Sequence, residues 1–212
     1  MSPMTILALE FSSPRRSAAL VRDGQLLGEA VEPMSGRGTN AFGLITKLLA
    51  ETGVQREEIE TMAVGMGPGS YTGIRAAIAV VQGWQLACGT KLMGISSVES
   101  LAAQAQVEKV FGRVNLVIDA QRGEFYLSTW EITAAARREI APLKIVPAAE
   151  VTGLKAANEI CAGPEMERLL YPSAAMVAAL AVGRSEFLAG DRLEPIYLRE
   201  TSFVKAPAGR VI

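Results

Sequence analysis

The sequence predicts an α/β protein built in two passes, each a mixed sheet with helices packed on it, the second pass reduced. Three observations predict this. The chain opens with three short apolar segments joined by tight turns. Strand-like and helix-like segments then alternate. After residue 113 the strand-first order begins again.

Residues 5–12 (TILALEFS) form a short apolar run of the kind buried in a sheet, and residues 16–22 (RSAALVR) read as its neighbour. Asp23-Gly24 signals a hairpin, because both residues tolerate positive φ, and residues 25–31 follow as a third strand. Across residues 39–51, Phe42, Ile45, Leu48 and Leu49 fall on one helical face, and Gly53 is a stop signal. Residues 61–66 are strand-like. A glycine-rich loop over 65–73 leads into a small-residue helix at 74–88. Residues 91–95 read as a strand, and Ser96 or Ser97 caps a helix running to Gln106. Glu108, Lys109 and Gly112 interrupt the apolar pattern, so residues 1–108 are assigned to a larger N-terminal lobe and 109–212 to a smaller C-terminal one. The second pass has strands at 114–120 and 125–131, a candidate third strand at 139–146, a further short apolar segment at 159–163, and an alanine-rich helix at 174–189.

Of the 212 residues, 50% are hydrophobic, an apolar balance that points to an extra buried face of the kind a partner covers. The most apolar stretch, 74–88, carries Arg75, Gln82 and Gln85 and is shorter than the roughly 18–20 residues of a membrane span. The first residues lack a basic region followed by an apolar run, so no secretory leader is expected. Two distant cysteines, Cys88 and Cys161, suit a reducing cytoplasm better than a disulfide framework or a zinc site. With 21 basic and 22 acidic residues, net charge −1 and the basic residues scattered, autonomous nucleic-acid binding is not expected. Histidine is absent. That excludes Ser-His-Asp and Cys-His catalysis and histidine-ligated metal, leaving carboxylates, lysine or magnesium.

The glycine loop is the most informative motif. Gly65, Gly67, Gly69 and Gly73 free backbone amides between a strand and a helix N-terminus. Gly67, Pro68, Gly69, Ser70, Tyr71, Thr72, Gly73 and Arg75 are therefore candidates for an anion cradle. The loop has neither a P-loop lysine nor dinucleotide spacing, and tight helix–sheet packing accounts for the glycines as well. Glu10, beside Phe11-Ser12-Ser13, is either a magnesium–phosphate ligand in a cleft or an ordinary loop carboxylate. Asp119 is either an acid–base partner of Glu124 or the cap of its own turn. The 74–88 helix is apolar nearly all round, with one charge at Arg75. It is either buried within the protein or covered on its outer side by a partner. Ala76, Val80 and Gly83 share one stripe and Ala77 and Val81 another; the pattern leaves open which faces outward.

Residues 64–75 (VGMGPGSYTGIR) resemble the hallmark of the TsaB family, also called YeaZ. Residues 6–10 (ILALE), 94–99 (GISSVE), 118–126 (IDAQRGEFY) and 194–199 (EPIYLR) resemble further family segments in the same order, across nearly the whole chain. The resemblance implies an actin/sugar-kinase/Hsp70-like (ASKHA) fold, two related lobes around a cleft. It implies a degenerate, non-catalytic paralogue of TsaD, the subunit that holds its metal with histidines in an HxxxH arrangement. TsaB and TsaD, with the ATPase TsaE, transfer threonylcarbamoyl to adenosine of tRNAs reading codons that begin with A. It implies no metal or cofactor in the isolated chain, with ATP or ADP at the partner junction. It further implies tRNA contact only through the complex, either a homodimer or a monomer when alone, a cytoplasmic location and no membrane.

Carried over, the family's partner interface falls on the helices at 39–51 and 74–88, with Phe42, Ile45, Leu49, Ala76, Val80 and Gly83. Glu10 stands where the family usually has Asp, and Arg37 where a His often begins the helix entry, which weighs against a nucleotide inside this subunit. The alternative is an enzyme of the same fold, a small-molecule kinase or an independent peptidase. A kinase would keep an Asp-x-Gly phosphate loop, which Glu10-Phe-Ser-Ser offers poorly, and a catalytic Asp, for which Asp119 is the candidate. A peptidase needs a metal or a nucleophile–base pair, and none is visible without histidine.

Overall fold

The computed structural model of the chain describes residues 4–32 and 40–199; Arg37 and the first residue of the expected 39–51 helix lie outside the described residues. The first sheet contains β1 (Thr5–Glu10), β2 (Ser17–Arg22), β3 (Gln25–Val31), β4 (Thr61–Gly65) and β5 (Lys91–Ile95), in the order β3-β2-β1-β4-β5. β1 runs antiparallel to β2 and parallel to β4, and β4 runs parallel to β5. Asp23 (φ 51) and Gly24 (φ 78) turn the β2–β3 hairpin in the positive-φ conformation that these residue types tolerate.

Helices cover both faces of this sheet. On one side lie α1 (Ala41–Thr52) and α2 (Tyr71–Cys88), whose Leu44, Leu48, Ile74, Ala77 and Val81 pack on Leu7, Leu9, Met62 and Val64. On the other lies α5 (Ala174–Ala181), with Ala174, Val177 and Ala178 against Ile6, Ala8, Ala63 and Ile95. Every residue of β1 is consequently buried, which explains its unbroken apolar run.

The second sheet repeats the first. It contains β6 (Gly112–Gln121), β7 (Glu124–Ile132), β8 (Arg137–Pro147), β9 (Ile160–Gly163) and β10 (Arg168–Leu169), ordered β8-β7-β6-β9-β10. Its first three strands are antiparallel, and β9 joins β6 and β10 in parallel. The two sheets thus share one topology, the two related mixed sheets of the ASKHA fold. α3 (Ser97–Val107) covers one face, with Val98, Leu101 and Ala105 on Val114, Leu116 and Ile132. α4 (Ala148–Ala156) covers the other, with Val151 among Val117, Leu127 and Val146. Where α2 joins β4 to β5, only the short connection 164–167 joins β9 to β10, and this is the reduction of the second lobe.

Each lobe borrows a helix. α3 precedes the second sheet yet packs on it, and α5 follows the second sheet yet packs on the first. The two meet where Ser100 Oγ donates to the Ser173 carbonyl and accepts from the Ser173 N–H, both at 3.2 Å.

Two helix boundaries differ from expectation by three residues or more. The helix expected at 174–189 ends at Ala181, because Val182 turns to ψ 127 and Gly183 to φ 78. The chain then continues as an extended strap to Arg199, apart from one turn of 3₁₀ helix at Gly190–Arg192. The helix expected from residue 74 begins instead at Tyr71, because Ser70 Oγ accepts from Gly73 N at 3.3 Å and caps it. Among the described residues no helix is long and apolar enough to cross a membrane.

Candidate functional site

Glu10 ends β1 and points inward. It is fully buried: Oε1 accepts from Ser12 N at 2.7 Å, and Oε2 accepts from Ser97 Oγ at 2.8 Å. Ser97 Oγ accepts in turn from Gly67 N at 3.0 Å. One carboxylate therefore ties β1, the glycine loop and the start of α3 together. Burial pushes the Glu10 carboxyl above its usual range, and the hydrogen bonds from Ser12, Ser97 and the Phe11 amide oppose that rise.

The glycines serve close approach. A Cβ on Gly65 would lie 2.1 Å from Glu10 Oε2, one on Gly69 2.1 Å from the Ser12 carbonyl, and one on Gly73 2.1 Å from the Phe11 carbonyl. Gly67 (φ 88) and Gly69 (φ 147) also occupy the left-handed half of backbone space. Loop amides are turned to protein acceptors: Gly67 N to Ser97 Oγ, Ser70 N to the Ser12 carbonyl (2.7 Å), and Gly73 N to Ser70 Oγ. Pro68 has no N–H, and Tyr71 and Thr72 are exposed in the first turn of α2.

Between the lobes lies a cleft of about 640 Å³. Ser12, Ser13, Gly69, Ser70 and Tyr71 line it from the first lobe, and Asp119, Arg122, Tyr126 and Glu165 from the second. Asp119 caps its own turn, with Oδ1 accepting from Gln121 N at 2.7 Å and Oδ2 from Gln121 Nε2 at 2.5 Å. Burial and, secondarily, the neighbouring Asp119 push the Glu165 carboxyl up. Glu124 is taken up by Arg199, whose Nη2 lies 2.5 Å from its carboxylate and also donates to the Ala120 carbonyl at 3.1 Å. Glu10 and Asp119 are thus not brought together: the first is sealed inside, the second lines the cleft. Among the described residues no group of three His, Cys, Asp or Glu side chains could hold a metal ion.

The other prominent concavity is a groove of about 720 Å³ between α1 and α2, lined by Phe42, Ile45, Leu49, Ala79, Val80 and Trp84 among others. Ala77 and Val81 are fully buried, whereas Ala76 and Val80 are partly exposed and Gly83 is exposed, so the Ala76–Val80–Gly83 stripe faces outward. Phe42 is 66% exposed and Leu86 89%. Ile45 belongs to the core at 3% exposure and contributes only the groove's floor.

Arg75, exposed on α2, places its guanidinium 5.4 Å from the Tyr71 ring centroid, and the centroids of the Tyr71 and Tyr197 rings lie 5.8 Å apart. Ser97, Glu165, Tyr197 and Arg199 belong to no chemical motif legible in the sequence. Ser97 and the Tyr197–Arg199 pair fall inside the segments 94–99 and 194–199, so position in a family segment was the available signal. For Glu165 the Gly163-Pro164 turn was the only hint.

The model of the family described as TsaD, tRNA N6-adenosine threonylcarbamoyltransferase, matches residues 39–191. A protein of Escherichia coli named tRNA threonylcarbamoyladenosine biosynthesis protein TsaB is 29% identical over 60% of this chain and 55% of its own length. The Bacillus subtilis protein of the same name is 25% identical over 66% and 60%. The chain therefore spans little more than half the length of these curated relatives. The solved structure of YeaZ from Pseudomonas aeruginosa is 27% identical, superimposes with a TM-score of 0.77, and covers 92% of this chain and 100% of that one. The family model spans most of the chain, curated relatives named TsaB match it, and the YeaZ structure superimposes over nearly all of it: this chain belongs to the TsaD family, in its TsaB (YeaZ) branch.

Proposed function

We propose that this chain is a non-catalytic subunit that pairs with a TsaD-like protein through the α1–α2 face and supports threonylcarbamoyl transfer to tRNA adenosine. The pathway is the one the relatives' names state. The observation that carries the pairing is the outer face of α2. Ala76, Ala79, Val80, Gly83 and Ala87 run along it without a charge, beside the groove and the exposed Phe42 and Leu86. An apolar surface of this kind is what a helical partner covers.

In this reading the isolated chain holds no metal or nucleotide, because Glu10 is turned inward and loop amides are satisfied within the protein. A nucleotide belongs at the partner junction, a TsaE-like ATPase and tRNA act through the assembled complex, and the setting is the cytoplasm. Alone, the chain pairs with a second copy through the same face.

Co-expression with a TsaD-like protein and affinity capture tests the pairing. A one-to-one complex is expected, and reconstituted tRNA modification should require this chain. Recovery of the TsaD-like protein alone, with modification undiminished, overturns the proposal. Calorimetric titration of the isolated chain with ATP and magnesium should show roughly millimolar affinity at best, about −4 kcal/mol. Low-micromolar binding would favour the small-molecule kinase instead.

A further inference from the structure

We infer that the strap that reaches Arg199 is a clasp that fixes the angle between the two lobes, with Arg199 as the positioning residue that crosses between them. The strap is rooted in the first lobe. Leu188 N donates to the Leu92 carbonyl at 2.9 Å. Gly190 is held on both sides by α2: its N–H donates to Gln85 Oε1 at 3.0 Å, and its carbonyl accepts from Gln82 Nε2 at 2.7 Å. Leu193 is buried in the first lobe's core, Ile196 N donates to the Met66 carbonyl at 2.8 Å, and Tyr197 lies against Tyr71.

Two residues later the strap leaves that lobe. Arg199 reaches the β6–β7 turn of the second lobe, where its Nη2 meets both the Ala120 carbonyl and Glu124. The lobes are also joined through α3 and α5. A join along one seam leaves rotation about that seam as the soft motion of a two-lobed fold. Arg199 adds an attachment on the cleft itself, which it lines together with Tyr71 and Asp119. An exposed ion pair alone would hold little. Here the same guanidinium also makes a charge-assisted hydrogen bond to a carbonyl, and the strap behind it is anchored at Leu188, Gly190, Leu193 and Ile196. Loss of such a contact corresponds to roughly a tenfold change in the ratio of closed to open lobes. The clasp acts within the chain alone, whatever the groove binds.

Spin labels on the native Cys88, exposed at the end of α2, and on Arg138→Cys, exposed on β8, report the distance between lobes by double electron–electron resonance. The full chain is used, diluted with unlabelled chain so that only distances within one molecule are read. The parent should give one narrow main distance with a minor displaced component. Arg199→Ala should raise a second, displaced population roughly tenfold, and Glu124→Ala should do the same. Distributions that overlay the parent in both variants overturn the clasp.

Discussion

Glu10 Oε2 accepts a hydrogen bond from Ser97 Oγ at 2.8 Å, across 87 residues of sequence, and the same serine oxygen accepts from Gly67 N at 3.0 Å. Ser97→Ala removes both contacts inside a fully buried site and strands the Gly67 N–H. Stability to urea should fall by about 1–3 kcal/mol, with faster amide exchange across the glycine loop. An unchanged midpoint with undisturbed exchange would falsify the latch.

Glu10 also sets a pH dependence. Its folded pKa lies above the ordinary 4.5 because burial disfavours the charged form. The folded state therefore binds this proton more tightly than the unfolded state does. The group's contribution is most favourable at low pH and declines as pH rises from about 4.5 through the raised folded value. Glu10→Gln can keep an oxygen acceptor for Ser12 N and turn its amide toward Ser97 Oγ, so it should fold. Urea titrations from acid to neutral pH should show a shallower decline for Glu10→Gln than for the parent. Parallel curves would show that Glu10 does not titrate in this window.

Two glycines should respond to alanine in opposite ways. At Gly65 the new methyl would lie 2.1 Å from Glu10 Oε2, a carboxylate with no room to retreat, and stability should fall by about 3 kcal/mol. At Gly83, within α2, a Cβ meets nothing within 4 Å, and Gly83→Ala should raise stability by about 0.5–1 kcal/mol. Thermal melts of the two variants decide this. Equal effects would mean that the close packing at Gly65 is not what requires glycine.

Neighbouring valines on α2 separate folding from pairing. Val81 is fully buried, so Val81→Glu places an unpaired charge in the core and should cost about 3–5 kcal/mol. Val80 lines the outer groove, so Val80→Glu should change stability by no more than about 1 kcal/mol yet weaken capture of a TsaD-like partner at least about a hundredfold. Circular dichroism and capture on the same preparations give both readings. A folded Val80→Glu variant that retains the partner and supports tRNA modification would move the interface off this helix.

Much of this arrangement could be read from residue order. The Asp23-Gly24 turn, the strand-first repeat and the glycine loop each rest on neighbouring residues, and local chemistry determines them. The outward face of α2 could not be read, because Ala76–Val80 and Ala77–Val81 are equally apolar and only the packing of Val81 on the sheet distinguishes them. Glu10 reads as a cleft acid because it ends a strand beside Ser12 and Ser13; its seclusion depends on Ser97, which no spacing rule connects to it. The overlong helix at 174–189 is a different failure, since Gly183 is a visible stop signal overridden by the alanine run. Helix α4 shows no apolar period in the sequence, because it is short and buries only Val151.

The exchange of α3 and α5 makes the lobes thermodynamically inseparable. A fragment ending at residue 108 would carry α3 without the strands it covers, and would leave Ile6, Ala8, Ala63 and Ile95 bare where α5 had lain. Neither half owns a complete apolar core, so neither can persist once the other melts. Although it is drawn as two lobes, the chain should denature as one cooperative unit, with the midpoint reported from Trp84 in the first lobe coinciding with that from Trp130 in the second.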